Sequence, residues 1–274
     1  MAEFKGFVIP ESVQAELNAR EHEESEMYHH DLLRGLFKTT YEWDNDEQRG
    51  VPNTFLRSAL FGVVRRGRRG LLEDTEIAAW GSDYIKYTGA TLMQSDQDAW
   101  MACVQACKRS GKTQVVISQS ELLRLAGKSN NKAWLMKTLK RLVATAITVK
   151  AGRYTYIGSL IHDAVKDDET GHIALNINHK MLELFGAGTT HLEFQQRQAL
   201  ASDLSKWLHC YALSHASSYR KPHLIGLDKL QVLCGSQSDI RNFRRLIKRS
   251  MGELKAQKIV AGWTLENDIL KLWK

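Results

Sequence analysis

The sequence lacks the patterns that most secreted, membrane-bound or metal-dependent proteins require. It has four cysteines, at positions 103, 107, 210 and 234, and no CxxC pair among them. Each sits among apolar residues in a helical pattern, which predicts buried, reduced thiols. No run approaches the ~18 apolar residues of a membrane span, and Met1-Ala2-Glu3-Phe4-Lys5 lacks the basic-then-apolar order of a signal peptide. A reducing, cytoplasmic setting is expected, with no membrane partner. Neither GxSxG nor HExxH occurs, and His179, His191, His209 and His215 follow no regular ligand spacing, so neither catalysis nor a metal is expected. His29-His30 beside Tyr28 and Asp31 project differently from one another and read as an exposed polar arm rather than a nicking centre. The stretch from Ala106 to Thr113 satisfies a relaxed phosphate-loop pattern. A phosphate loop needs a strand before it and a helix after it, whereas here a helix precedes and a strand follows, so no nucleotide cofactor is expected.

What is present points to polyanions. The 274 residues, 43% of them apolar, suffice for two ordinary domains, and the net charge is +7. Acids gather early, at Glu21, Glu23, Glu24, Glu26, Asp44, Asp46 and Glu47, so the remainder is more basic than the average. Residues 1–48 read as an acidic, flexible arm. Within it Asp31-Leu32-Leu33-Arg34-Gly35-Leu36-Phe37 is an apolar island, either a docking peptide or a turn of helix packed on the domain.

The strongest signal runs from His223 to the last residue. Leu227, Leu230 and Leu233 mark a short helix stopped at Gly235, and Gly235-Ser236-Gln237 is the turn. The next helix opens on Ser238 or Asp239. On a wheel, Ile240, Phe243, Leu246, Ile247 and Leu254 fall on one side, and Arg241, Arg244, Arg245, Lys248 and Lys255 on the other, with Arg249 at the edge. Almost no acid interrupts this stripe between Ser238 and Gly252, and a phosphate backbone would supply the missing anions. Strands at 259–264 and 269–273, joined by Glu266-Asn267-Asp268, complete a winged helix-turn-helix. Gln237, Ser238, Arg241 and Arg245 are the base-reading candidates; Arg244, Lys248, Arg249 and Lys255 are phosphate candidates.

The same order occurs earlier. Pro52-Asn53 opens a helix carrying Phe55, Leu56, Leu60 and Phe61, followed by Arg65, Arg66, Arg68 and Arg69 in a glycine-containing loop, where they contact phosphate or are solvated. A strand pair spans 76–89. Ser95 is expected to cap a helix with Trp100, Cys103, Val104 and Cys107 inward. A strand at 114–118, a short helix and the turn Lys128-Ser129-Asn130-Asn131 lead to a helix with Leu135, Leu139, Leu142 and Ala146 inward and Lys137, Lys140 and Arg141 outward. Strands near 147–149, 153–161 and 172–177 complete a second winged helix. Lys128, Asn130, Asn131, Lys137 and Lys140 join the phosphate candidates. Leu122, Leu125, Ala126 and Gly127 match Leu230, Leu233, Cys234 and Gly235 at an offset of roughly 108 residues. Gly186-Ala187-Gly188 is the hinge candidate, and Leu200, Leu204, Trp207, Leu208 and Tyr211 repeat the role of the Trp100 helix. The expected fold class is α+β, with tandem winged helices at 49–187 and 188–274.

The segments RGVPN and RSALFG after position 48, YTGATL, SHASSY before LCGSQS, and the terminal IVAGWTLENDILKLWK together resemble the TrfA family of plasmid replication initiators, over about 49–274. The resemblance implies two winged helices that bind direct repeats in double-stranded origin DNA. It implies opening of adjacent AT-rich DNA, with contact to the single strand, and recruitment of host initiator, replicative helicase and polymerase sliding clamp. It implies no nucleotide hydrolysis, a bacterial plasmid-associated location, and self-association to a dimer. Family members carry a clamp-binding peptide ending Leu-Phe. Here Leu36 and Phe37 match its end, while the leading glutamine and second leucine are absent. The alternative from the same DNA-binding features is a transcriptional repressor without origin opening.

Overall fold

The described residues of the computed structural model are 47–64, 69–81, 84–151 and 154–274. All belong to one compact unit. The arm's Leu36, Phe37 and His29-His30, and the arginines Arg65, Arg66 and Arg68, lie outside them.

Strand β1 (Gln48–Pro52) runs into α1 (Asn53–Leu56), a single turn that buries Phe55 and Leu56. Leu60 and Phe61, expected on the same helix, are buried beyond it, because Ser58 bridges Ala79 and Phe61 enters β2 (Phe61–Gly62). Strands β3 (Leu71–Ile77) and β4 (Tyr84–Ala90) pair antiparallel, and β5 (Leu92–Met93) pairs parallel with β2. Helix α2 (Gln94–Ser110) follows. Its start is set by Asp96 rather than Ser95: the Asp96 carboxylate reaches back to accept from the Met93 amide at 2.8 Å. It ends at Gly111, whose φ of +66° suits a residue without Cβ. The phosphate-loop-like stretch thus lies between this helix and strand β6 (Gln114–Ser118).

Ser118 caps α3 (Gln119–Leu125), and Asn131 caps α4 (Lys132–Val143), each side chain accepting the amide three residues on. Then come β7 (Ala146–Ala151), β8 (Tyr154–Gly158), β9 (Asp163–Lys166) and β10 (His172–Asn176). Ala146, expected inside the helix, is an exposed first residue of β7, because the helix ends at Val143 and the chain turns before it. After a 3-10 turn, α5 (Glu183–Gly186) leads through Gly188 to β11 (Thr189–Glu193), which pairs with β1. The glycine segment therefore feeds directly into a strand closed on the start of the domain. Helices α6 (Phe194–Ala199) and α7 (Asp203–Ser214) precede β12 (His223–Gly226), α8 (Leu227–Leu233), α9 (Ile240–Ala256), β13 (Gly262–Glu266) and β14 (Ile269–Trp273).

A duplication is visible in the sheets. Strands β12-β14-β13 form one three-stranded sheet in that order, and β6-β10-β9 form another. In each, the strand entering the helix pair occupies an edge and pairs with the last strand of its set. The expectation that 147–149 and 153–161 build the first wing is corrected here. Strands β7 and β8 leave that sheet and extend β3-β4 into a four-stranded sheet, while β9, unnoticed in the sequence, supplies the hairpin with β10. Alternation explains the placement. Ile147 and Val149 share the buried face with Ile85 and Tyr87, so β7 finds its apolar partners on β4.

The two copies pack against each other. Trp207 and Tyr211 of α7 stack, and Trp207 donates from Nε1 to the Ser58 carbonyl at 2.9 Å. Val63 and Trp80 pack on the second copy's core. Behind them, Arg197 of α6 is fully buried, donating from Nε to Asp98 at 2.7 Å and from Nη2 to the Gln94 and Gln97 side chains. Lys206 closes on the other Asp98 oxygen at 2.8 Å. Burial opposes the Asp98 carboxylate, and the Arg197 and Lys206 charges outweigh it and hold its pKa below the usual range. Such a network is costly to break at one partner.

Candidate nucleic-acid interface

Helix α9 is built to show one face. Asp239 is its N-cap, accepting from the Asn242 amide at 2.9 Å. Phe243, Ile247, Met251 and Leu254 are fully buried, and Ser250 meets Ser205 of α7 at 3.0 Å. Ile240, expected on the packed face, is 45% exposed. It is the first residue of the helix and stands beyond the edge of the core on which Phe243 rests. Leu246 is half-buried at the flank.

The preceding turn is tight. Gly235 takes φ +68°, and an added Cβ there would lie 3.4 Å from the Cβ of Ala59. The Val63 amide donates to the Cys234 carbonyl at 2.7 Å, so a segment from the first half of the chain braces this turn. Gly127, its counterpart, has φ +69°. Leu122, Leu125 and Ala126 are buried, as are Leu230, Leu233 and Cys234. Burial pushes the Cys234 thiol up to about 12, which leaves it a packing group.

Arg241, Lys248, Arg249 and Lys255 are exposed and make no ion pair among the described residues. Arg245 is also exposed and donates to the Asn242 side chain at 2.8 Å. Gln237 is exposed and Ser238 half-buried, its carbonyl held by the Gln231 amide group. Arg244 is different: its Nε donates to Asp268 at 2.9 Å and its Nη2 reaches the same oxygen. The stripe that is nearly acid-free along the chain thus acquires one acid in space, from the turn between β13 and β14. That turn is the two-residue Asn267-Asp268, with φ of +48° and +60°, a conformation these short side chains tolerate. The sequence places Asp268 in the turn of the wing but not against Arg244. The signal for the turn was the Asn-Asp pair between two alternating strands.

The corresponding face of α4 is thinner. Lys132, Lys137 and Lys140 are exposed, as is Asn130, and Asn131 spends its side-chain oxygen on the Trp134 amide at 3.0 Å. Lys128 lies over the Trp134 ring, 5.7 Å from its centroid. Arg141, expected to point outward, turns in and donates to Asp96 at 2.7 Å. Arg69, read as a phosphate candidate, donates to the same carboxylate at 2.6 Å and to the Thr91 carbonyl. The reason is shared: Asp96 is fully buried and needs cations, and both arginines lie within reach. The hairpin beside α4 ends in exposed Asp167, Asp168 and Glu169, with Lys166 tied to Asp168. Its tip would repel phosphate.

No cluster of metal ligands occurs among the described residues, and no described helix is long and apolar enough to cross a membrane. Taken together, the fold presents two helix pairs, each backed by a three-stranded sheet, one carrying an exposed cationic helix face. Domains 2 and 3 of RctB share this fold: that structure matches at a TM-score of 0.53 and 12% identity, over 81% of this chain and 98% of that one. The Pi initiator protein in complex with iteron DNA matches at a TM-score of 0.44 and 16% identity, over 58% of this chain and 79% of that one, a likeness too low to carry an argument.

The family model described as TrfA protein matches residues 12–273, and the chain belongs to the TrfA family. The plasmid replication initiator protein TrfA of Escherichia coli is 26% identical over 239 residues, which is 82% of this chain. The match spans 61% of that relative's length.

Proposed function

We propose that the protein initiates plasmid replication by binding repeated origin sites through two winged helices, one built on α3-α4 and the other on α8-α9, corresponding to residues 49–187 and 188–274. The observation that carries this reading is the exposed cationic face of α9, held on a capped helix that buries Phe243, Ile247, Met251 and Leu254 on the opposite face. Membership of the TrfA family, with a relative named as a plasmid replication initiator, supports the same assignment. Arg241 and Arg245, near the start of α9, are placed to reach base edges, and Lys248, Arg249 and Lys255, further along, to reach phosphate. The α4 face adds phosphate contacts through Lys137 and Lys140.

In this reading the protein is not an enzyme and takes no cofactor. Opening DNA without ATP needs binding energy to offset bending and unstacking, which cost several kcal/mol by order of magnitude. Protomers on tandem repeats supply it jointly. Host initiator, helicase and clamp then assemble on the opened AT-rich DNA, in the cytoplasm of a bacterial host.

Permanganate footprinting of supercoiled origin DNA tests both steps. Protected repeats with newly reactive thymines in the AT-rich flank are expected. Protection without reactive thymines, even with host initiator added, would assign a repressor instead.

A further inference from the structure

Arg244 stands on the cationic face of α9 between Arg241 and Lys248, and alone among these three it is paired with an acid among the described residues. The acid comes from a rigid place. Asp268 closes the two-residue turn between β13 and β14 with φ +60°, and its carbonyl accepts from the Leu227 amide at 2.8 Å. Its position beside α9 is therefore fixed by the sheet and by the start of α8. Both side chains remain open to solvent, 42% for Arg244 and 51% for Asp268, so a phosphate can compete for the arginine.

The geometry points to Asp268 as a specificity-determining residue: its carboxylate holds Arg244 off the phosphate backbone and limits binding to non-cognate DNA. This rests on the reading of α9 as the DNA-reading helix. Non-cognate binding is driven by the release of counterions when free cations meet phosphate. An arginine already matched by a carboxylate adds no net charge to that attraction. On a cognate site, base contacts seat the helix closely and carry Arg244 to a phosphate whether or not Asp268 is charged. The carboxylate therefore weighs more on the non-cognate complex.

Asp268→Asn tests this in the full chain, because asparagine also accepts positive φ and leaves the turn intact. Binding is measured across a salt series to a random-sequence duplex and to a duplex that the wild-type protein selects from a random pool. Asp268→Asn is expected to bind the random duplex about threefold to fivefold tighter, with a salt slope steeper by about one. The selected duplex is expected to gain less than about twofold, so the ratio between the two falls. Arg244→Gln should weaken both, by losing a phosphate contact on the selected duplex and by leaving Asp268 unmatched on the random one, and in that background Asp268→Asn should raise the two affinities alike and leave their ratio unchanged. An unchanged random-duplex affinity and slope, or a fall in the ratio that persists without Arg244, would overturn the assignment. If Asp268→Asn melts early, Asp268→Gly replaces it in the same comparison. A wild-type protein that selects no sequence would instead defeat the parent reading.

Discussion

The two helix pairs share one topology and differ in what they show to solvent. On α9 the cations face outward, and among the described residues the acid that pairs with them, Asp268, comes from a neighbouring turn. On α4 the one arginine, Arg141, is drawn into the protein by Asp96, and the adjacent hairpin ends in acids. The two helix pairs are backed by three-stranded sheets of the same strand order, and burial of the Asp96 carboxylate takes one arginine away from the first. In the proposed reading the second copy reads DNA. The first is organised to hold: its Asp96 and Asp98, one turn of α2, gather Arg69, Arg141, Arg197 and Lys206 from four other parts of the chain.

Breaking that hold should have the largest effect. Arg197→Met leaves Asp98 buried against Lys206 alone and is expected to destabilise the protein by about 3–5 kcal/mol, the cost of removing one member of a buried pair. A urea melt measures this. A loss below ~1 kcal/mol would mean that the network is not the tie between the copies.

A smaller effect should appear with pH. His209 is buried beside the same network and has no hydrogen-bond partner on either ring nitrogen among the described residues. Burial, reinforced by the Arg197 charge, pushes its pKa down to about 3 from an ordinary value near 6.5. The unfolded chain therefore binds a proton that the folded chain refuses between these values, and stability falls as pH drops through that window. Between pH 6.5 and 5 the loss from this residue is roughly 2 kcal/mol. His209→Leu should flatten the slope of stability against pH over that range. An unchanged slope would show that His209 keeps its proton balance on unfolding. His215, pushed down to about 4 by burial, contributes in the same direction.

The comparison sharpens at the DNA. Arg241→Ala or Arg245→Ala should cost about 1–3 kcal/mol on a cognate duplex and relax sequence preference. Lys137→Ala or Lys140→Ala should weaken cognate and random duplexes alike and lower the salt slope by about one. If the α4 variants relaxed preference instead, the assignment of reader and holder would be reversed.

What the sequence made legible was local. The spacing of Leu122, Leu125, Ala126 and Gly127 against Leu230, Leu233, Cys234 and Gly235 announced both turns, because a helix stripe and a positive-φ glycine are signals within a dozen residues. The faces of α9 were equally plain. What remained hidden depends on distant partners. Nothing near Arg141 says that Asp96 will claim it, and nothing in β7 says that it will pair with β4 rather than build a wing. Asp268 lies far along the chain from Arg244, and only the register of β13 and β14 brings it to α9. Ile240 fits the helical period and is still exposed, because the period gives the face and not where the core stops.

The finest test concerns the caps. Asp239 on α9 and Asn131 on α4 each accept the amide three residues on, at 2.9 and 3.0 Å. Replacing either by Ala should cost about 1 kcal/mol of stability. Their consequences for DNA should differ. The Asp239→Ala helix frays where Arg241 and Arg245 sit, so cognate affinity should fall by more than random-duplex affinity. Asn131→Ala frays the start of α4, ahead of Lys137 and Lys140, and should leave the ratio of the two affinities unchanged. Equal effects of the two caps on that ratio would mean that both helices read sequence. The difference between the copies would then be one of charge alone.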